Sequence, residues 1–116
     1  MSTNYNQGNI IKVNLNPTKG YEQQNERPCL IVSHNLIYNT AGIVIIAPIS
    51  NTKRNYPFYF KIDELSGSYT TKGKIMLDQL RAIDPNKRGA AFVEKLDNKD
   101  MEEILKVTKL IFDSNV

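Results

Sequence analysis

The chain has 116 residues, of which 41% are hydrophobic and 23% charged, with a net charge of +3. That length fits one domain, residues 1–116, and the composition excludes wholesale disorder, which needs low hydrophobicity and high net charge. The charge is uneven: residues 1–93 carry +5 and residues 94–116 carry −2, so a basic body points to an anionic partner such as nucleic acid, or to an ordinary solvated surface.

Residues 1–7 contain no basic or apolar stretch and read as a flexible extension without a signal peptide. Ile11, Val13 and Leu15 alternate with Lys12 and Asn14, which predicts a half-buried strand over about 9–15. Asn16-Pro17-Thr18-Lys19-Gly20 ends it as a turn. Apart from Tyr21 and the prolines, residues 16–28 are polar, a long loop of the kind that is functional or mobile. Cys29 to Val32 is a second strand, and Asn35 to Asn39 fits one helical turn. Ile43 to Ile49 is a β-branched run suited to a central strand, with Pro48 expected at a bulge or at the strand end.

Beyond a polar loop at 50–55, Pro57 to Ile62 predicts an aromatic strand. Lys74 to Leu80 and Arg81 to Ile83 predict a strand pair or one bent strand, and Ala91 to Val93 a short strand. The last segment is the clearest. Asp97 or Asn98 suits a helix N-cap, and Asp100, Glu102 and Glu103 suit the positive end of the helix dipole. Met101, Ile104, Leu105, Thr108, Ile111 and Phe112 form one apolar stripe. Short strands followed by one helix predict a mainly β fold, a small antiparallel barrel with a C-terminal α-helix packed on it.

The chemistry is narrow. A single cysteine, Cys29, excludes an internal disulfide and, inside an apolar run, reads as a core residue. With His34 as the only other soft ligand, a four-ligand structural zinc site is excluded. One histidine also excludes two-histidine acid–base catalysis within a chain, and His34, at a strand end, reads as structural or surface. The longest apolar run is far below the roughly 20 residues that span a bilayer, so a reduced cytoplasm is the expected compartment. What remains is a set of polar residues at loop–strand junctions: Glu22, Arg27, Ser50, Gln79 and Arg81. Loops at one end of a barrel can bring such residues together. The bland readings stand beside this: a rim ion pair of Arg27 with Glu26, a turn hydroxyl at Ser50, a backbone-satisfying amide at Gln79.

The order of motifs carries more than any one of them. Gly8 to Gln23 contains Asn16-Pro17-Thr18 and Gly20-Tyr21-Glu22-Gln23, followed by Arg27-Pro28. Ile31-Val32-Ser33, Tyr38-Asn39, Ala47-Pro48-Ile49, Tyr56-Pro57-Phe58 and Asp78-Gln79-Leu80-Arg81-Ala82-Ile83-Asp84 continue the series, with Arg88-Gly89 after them. This succession resembles the MazF/PemK toxins of type II toxin–antitoxin systems over residues 8 to about 112. The resemblance implies an SH3-like barrel, shared with the CcdB toxins, and a homodimer. It implies an mRNA interferase, a metal-independent endoribonuclease for single-stranded RNA with no cofactor, and a cognate antitoxin that blocks the RNA groove.

Residue by residue, the resemblance assigns the acidic position of the first loop to Glu22 and the arginine before proline to Arg27. The family threonine after the third strand falls at Ser50, which keeps the hydroxyl without the stiffening β-methyl, and Thr52 is the alternative if the loop is rebuilt. Asn16 replaces a common aspartate. On this reading Glu22 is the base, Arg27 neutralises charge on the phosphorane, and Ser50 donates to a non-bridging oxygen. Lys19, Lys53 and Arg54 are candidates to track phosphates, Tyr21, Tyr56 and Phe58 to stack on bases, with Phe58 alternatively in the core. Gln23, Gln79 and Arg81 complete the expected RNA-binding set. Two other classes are consistent with the same fold: a CcdB-like topoisomerase (gyrase) poison, and a non-catalytic SH3-like RNA-binding module.

Overall fold

The computed structural model describes residues 5–15 and 26–113. Seven strands and two helices follow one another as β1 (Asn9–Asn14), β2 (Glu26–Ile31), α1 (Asn35–Ala41), β3 (Val44–Ser50), β4 (Tyr59–Lys61), β5 (Lys74–Met76), β6 (Arg81–Ile83), β7 (Ala91–Lys95) and α2 (Asn98–Ile111). The sheet is antiparallel with the order β4-β5-β3-β2-β1-β7, and β6 pairs with β3 off this path. This is the expected mainly β antiparallel fold with a C-terminal helix; among the described residues the ladder is not closed, and β4 and β7 are its ends.

The central strands β1, β2 and β3 are largely buried on both faces, which explains their runs of consecutive apolar residues. Ile10, Leu30, Val32, Ala47 and Ile49 face one core, capped by Leu96, Met101 and Ile104 from α2 and its approach. Ile11, Val13, Cys29, Ile31, Val44 and Ile46 face the other, with Ile83. Successive residues of β2 thus alternate between two cores. Cys29 is fully buried, and burial pushes its thiol up to about 12 against the opposing fields of Arg81 and Arg27. At neutral pH it is a protonated core residue, as expected from its apolar neighbours.

Pro48 lies inside β3, and neither at its end nor in a bulge. β3 pairs with β6 over Val44–Ile46 and with β5 over Ile49–Ser50, so among the described residues Ala47 and Pro48 have β2 as their only sheet neighbour. A missing donor is tolerated where one side of the ladder is interrupted. The predicted aromatic strand shrinks to Tyr59–Lys61, and the bent strand at 74–83 is two three-residue strands joined by a 3₁₀ turn at Leu77–Gln79.

Gly8 leads into β1 with φ of 92°, and its Cα packs so closely on α2 that an added Cβ would lie 3.1 Å from Met101 Cγ. Its N–H donates to Ile31 O and its carbonyl accepts from Leu96 N, so it joins the sheet to the helix approach. Tyr5–Gln7, placed by the sequence reading in a flexible extension, make specific contacts. Tyr5 packs edge-on against Tyr38, and Gln7 Nε2 donates to Val32 O. His34 caps α1: its Nδ1 accepts from Leu36 N at 3.0 Å.

The start of α2 departs from the expected arrangement in its detail. Asp97 is the N-cap, yet its side chain accepts no capping hydrogen bond. Asp100 lies in the first helical turn, as expected for the dipole, and also turns to the 66–69 segment, where it is only 4% exposed. It accepts from Ser66 N, Ser66 Oγ, Gly67 N and the Tyr69 hydroxyl, at 2.6–3.0 Å. The Tyr69 hydroxyl in turn accepts from Asp97 N at 2.8 Å, so tyrosine stands between the two members of a capping box. Phe112 leaves the apolar stripe and is 75% exposed, because the helix ends at Ile111 and the next residue no longer follows the helical turn. Val107 packs on the core instead.

Burial opposes the Asp100 charge, but the hydrogen bonds from Tyr69, Ser66 and Gly67 outweigh it and hold the carboxyl at about 2, below its ordinary 3.8. A depressed acid stabilises the fold above the unfolded value, and that contribution disappears as pH falls from about 4 to about 2. Asp100→Asn turns an amide N–H₂ toward groups that are already donors. It is expected to cost about 3 kcal/mol and to flatten the acid limb of a melting-temperature-against-pH curve. An unchanged acid limb would show that this carboxylate does not set it.

Candidate RNA-cleavage site

Arg27 stands near the start of β2 and Ser50 at the end of β3. The two strands pair with Cys29 opposite Pro48. The same register carried two residues on toward the sheet end sets Arg27 against Ser50. Arg81 opens β6 opposite Ile46, and Gln79 closes the 3₁₀ turn just before it. Four polar side chains from four segments, Arg27, Ser50, Gln79 and Arg81, thereby line one open cleft of about 590 Å³. Leu15, Ile49 and Met76 supply its apolar floor.

The electrostatics are one-sided. No ion pair involves Arg27 or Arg81 among the described residues, so the expected alternative of a rim pair between Arg27 and Glu26 is not formed. Both guanidiniums are close enough to Cys29 to oppose the rise of its thiol, so their fields converge behind the cleft. Arg81 Nη1 donates to Leu15 O at 3.3 Å, which orients it across the end of β1. Two cations and a hydroxyl around a cleft without a described carboxylate suit a dianionic or phosphate-like group.

Ser50, not Thr52, lines the cleft. The Thr52 hydroxyl is occupied locally, accepting from Arg54 N at 3.2 Å. The structure also joins Arg54, Tyr56 and Gln79 through a residue the sequence reading missed. The Arg54 guanidinium lies 5.9 Å above the Tyr56 ring, and Tyr56 packs 5.1 Å from the Tyr59 ring. The Tyr59 hydroxyl accepts from Gln79 Nε2 at 3.3 Å. Tyr56 is 47% exposed and presents an aromatic face beside the cleft wall. Phe58 is half-buried against the core, its alternative reading. Tyr59 carried a signal in the alternation Phe58-Tyr59-Phe60, which turns the hydroxylated ring outward when both phenylalanines turn in.

Lys53 is exposed in the loop after β3. Lys19, Tyr21, Glu22 and Gln23 lie outside the described residues. No group of three or more His, Cys, Asp or Glu able to hold a metal ion occurs among the described residues.

Known proteins share this arrangement of sequence and fold. Endoribonuclease PemK of Escherichia coli is 33% identical over 101 residues, spanning 84% of this chain and 74% of its own length. Endoribonuclease toxin MazF of Escherichia coli K12 is 34% identical over 83 residues, spanning 72% and 71%. Among solved structures, MazF from Deinococcus radiodurans matches with a TM-score of 0.75 at 21% identity over 92% of this chain and 94% of its own. An endoribonuclease in complex with its cognate antitoxin from a mycobacterial species matches at 0.73 and 17% identity over 92% and 93%. At such identities the structures speak for the fold, while the family pattern matches residues 6–112, nearly the whole chain. The chain therefore belongs to the family of PemK-like, MazF-like toxins of type II toxin–antitoxin systems.

Proposed function

We propose that this chain is an mRNA interferase, an endoribonuclease toxin that cuts single-stranded RNA and is neutralised by a cognate antitoxin. The observation that carries this reading is the cleft lined by Arg27, Arg81 and the Ser50 side chain, with no described acid paired to either arginine. The relatives named endoribonucleases support it, and the neighbour solved with its antitoxin supports the partner. The relatives are endoribonucleases, which favours cleavage over a gyrase poison or a passive RNA-binding module.

The chemistry follows from RNA itself. The ribose 2′-oxygen attacks the adjacent phosphorus, the bond to the 5′-oxygen breaks, and the products are a 2′,3′-cyclic phosphate and a 5′-hydroxyl. Glu22 is proposed to take the 2′-OH proton. Arg27 neutralises the negative charge that builds on the non-bridging oxygens, and its planar fork matches two of them. Ser50 donates to one of the same oxygens. The leaving oxygen acquires its proton from a group that Arg27 orients rather than from the guanidinium, which stays charged at neutral pH. Unpaired bases splay onto Tyr56 and Tyr21, with Gln79, Gln23 and Arg81 at their edges, while Lys19, Lys53 and Arg54 follow the phosphates. The active form is proposed to be a cytoplasmic homodimer.

The direct test is to map cleavage of a long RNA by the purified protein. Cyclic-phosphate and 5′-hydroxyl ends are expected, and equal rates with and without EDTA. Loss of cleavage on chelation would remove the metal-free scheme.

A further inference from the structure

Next to the cleft lies a second depression, of about 390 Å³, whose rim carries Lys53, Lys61, Lys72 and Lys74 against a single acid, Asp63. Consecutive residues line the two hollows: Ser50 the first and Asn51 the second. Ser50 is also the ladder partner of Lys74. Gly73 has φ of 117°, and an added Cβ there would lie 2.8 Å from Ser50 O.

The arrangement of charge is one that folding alone does not favour. Lys61 and Lys74 are direct cross-strand partners of the antiparallel β4–β5 pair, so their side chains leave the same face side by side. Like charges in that position are destabilising. Among the described residues only Lys72 has an acid, Asp63 at 3.9 Å, and both side chains are well exposed, so the pair contributes little. Lys74 Nζ donates to Arg54 O and Asn55 Oδ1 and so holds the loop bearing Lys53 and Arg54 against the sheet. A repulsive cluster kept beside an anion cleft is explained by an anion that bridges it.

We infer that Lys61 and Lys72, with Lys53, form a phosphate-tracking extension of the cleft that holds the RNA flank beyond the cut linkage. The inference rests on the ribonuclease reading. A backbone leaving the scissile phosphate past Ser50 meets Asn51 and Gly73 next, then the lysine rim. The extension reads charge and not sequence, because lysine ammonium groups are flexible point charges without the fork that recognises base edges.

The test is the double variant Lys61→Gln/Lys72→Gln. Two RNAs are compared, a short one holding the cut linkage and its immediate neighbours, and the same RNA extended on either side. For the wild type the extended RNA is expected to have a KM about tenfold lower than the short one, at equal kcat. In the variant that advantage disappears, while cleavage of the short RNA is unchanged. Binding of the extended strand, followed by fluorescence anisotropy, is expected to lose about 1.4 from the slope of log K against log salt, about 0.7 for each phosphate contact removed. The variant's melting temperature is expected to be equal or higher, because Lys61→Gln relieves the repulsion with Lys74; a structural role for these lysines would lower it.

An extended RNA bound and cut no better than the short one by the wild type, or equally well by the variant, overturns the inference. The binding arm separates the two readings. Lysine-dependent binding of the long strand without any cleavage would strike the ribonuclease assignment and leave the extension standing.

Discussion

Arg27→Ala is expected to lower cleavage by about 10³-fold or more while leaving the protein folded. An arginine that meets the charge of a phosphoryl transition state is typically worth 10³–10⁵ in rate. Arg81 also lines the cleft, with its Nη1 on Leu15 O, and its remaining charge is expected to sustain only the residual rate. The fold is expected to survive because Arg27 is exposed near the strand start and makes no ion pair among the described residues. A surface substitution of that kind shifts stability by no more than about 0.5 kcal/mol. Cleavage kinetics and a thermal melt on one preparation measure both halves. Arg27→Lys keeps the charge but not the planar fork and is expected to fall between wild type and alanine. Wild-type turnover in Arg27→Ala would end the assignment of this guanidinium to the chemistry.

Ser50→Ala is expected to reduce kcat by about 10²–10³-fold with little change in KM, the cost of one preorganised donor, about 3–4 kcal/mol. Its effect is smaller than that of Arg27→Ala because a neutral hydroxyl stabilises growing charge less than a cation does. Ser50→Thr is informative in the other direction. The β-methyl restricts χ1 and holds the hydroxyl in fewer rotamers, so threonine is expected to match or exceed serine. A loss as large as that of Arg27→Ala would mean that Ser50 moves a proton. No loss at all would return Ser50 to an ordinary strand-end hydroxyl, and the chemistry would then need another donor in the cleft.

Much of the fold was legible because its signal is local. The alternation at Ile11 and Val13, the run at 44–49 and the stripe over Met101, Ile104 and Thr108 report periodicity, and each became the element it suggested. Exceptions arose where distant groups compete for a residue. Asp100 has the sequence position of a helix-start acid, yet four donors from the 66–69 segment claim it. Pro48 would end an ordinary strand, but the gap between β6 and β5 accommodates it. Phe112 continues the apolar spacing by count and fails by one residue, since the helix ends before it.

The site divides along the same line. Residue types and their order, the Arg27-Pro28 pair and the 78–84 motif among them, were enough to point to the family and to the kind of chemistry, because a reaction needs particular functional groups whatever positions them. Which hydroxyl faces the cleft was decided by tertiary structure: Ser50 and Thr52 differ by two positions, and only β2 pairing and the Arg54 turn separate them. The same holds for the lysine rim. Lys61 and Lys74 are far apart along the chain, and only the β4–β5 register makes them neighbours. Sequence determines which groups exist and how each short stretch prefers to fold, whereas the register of distant strands determines which groups meet.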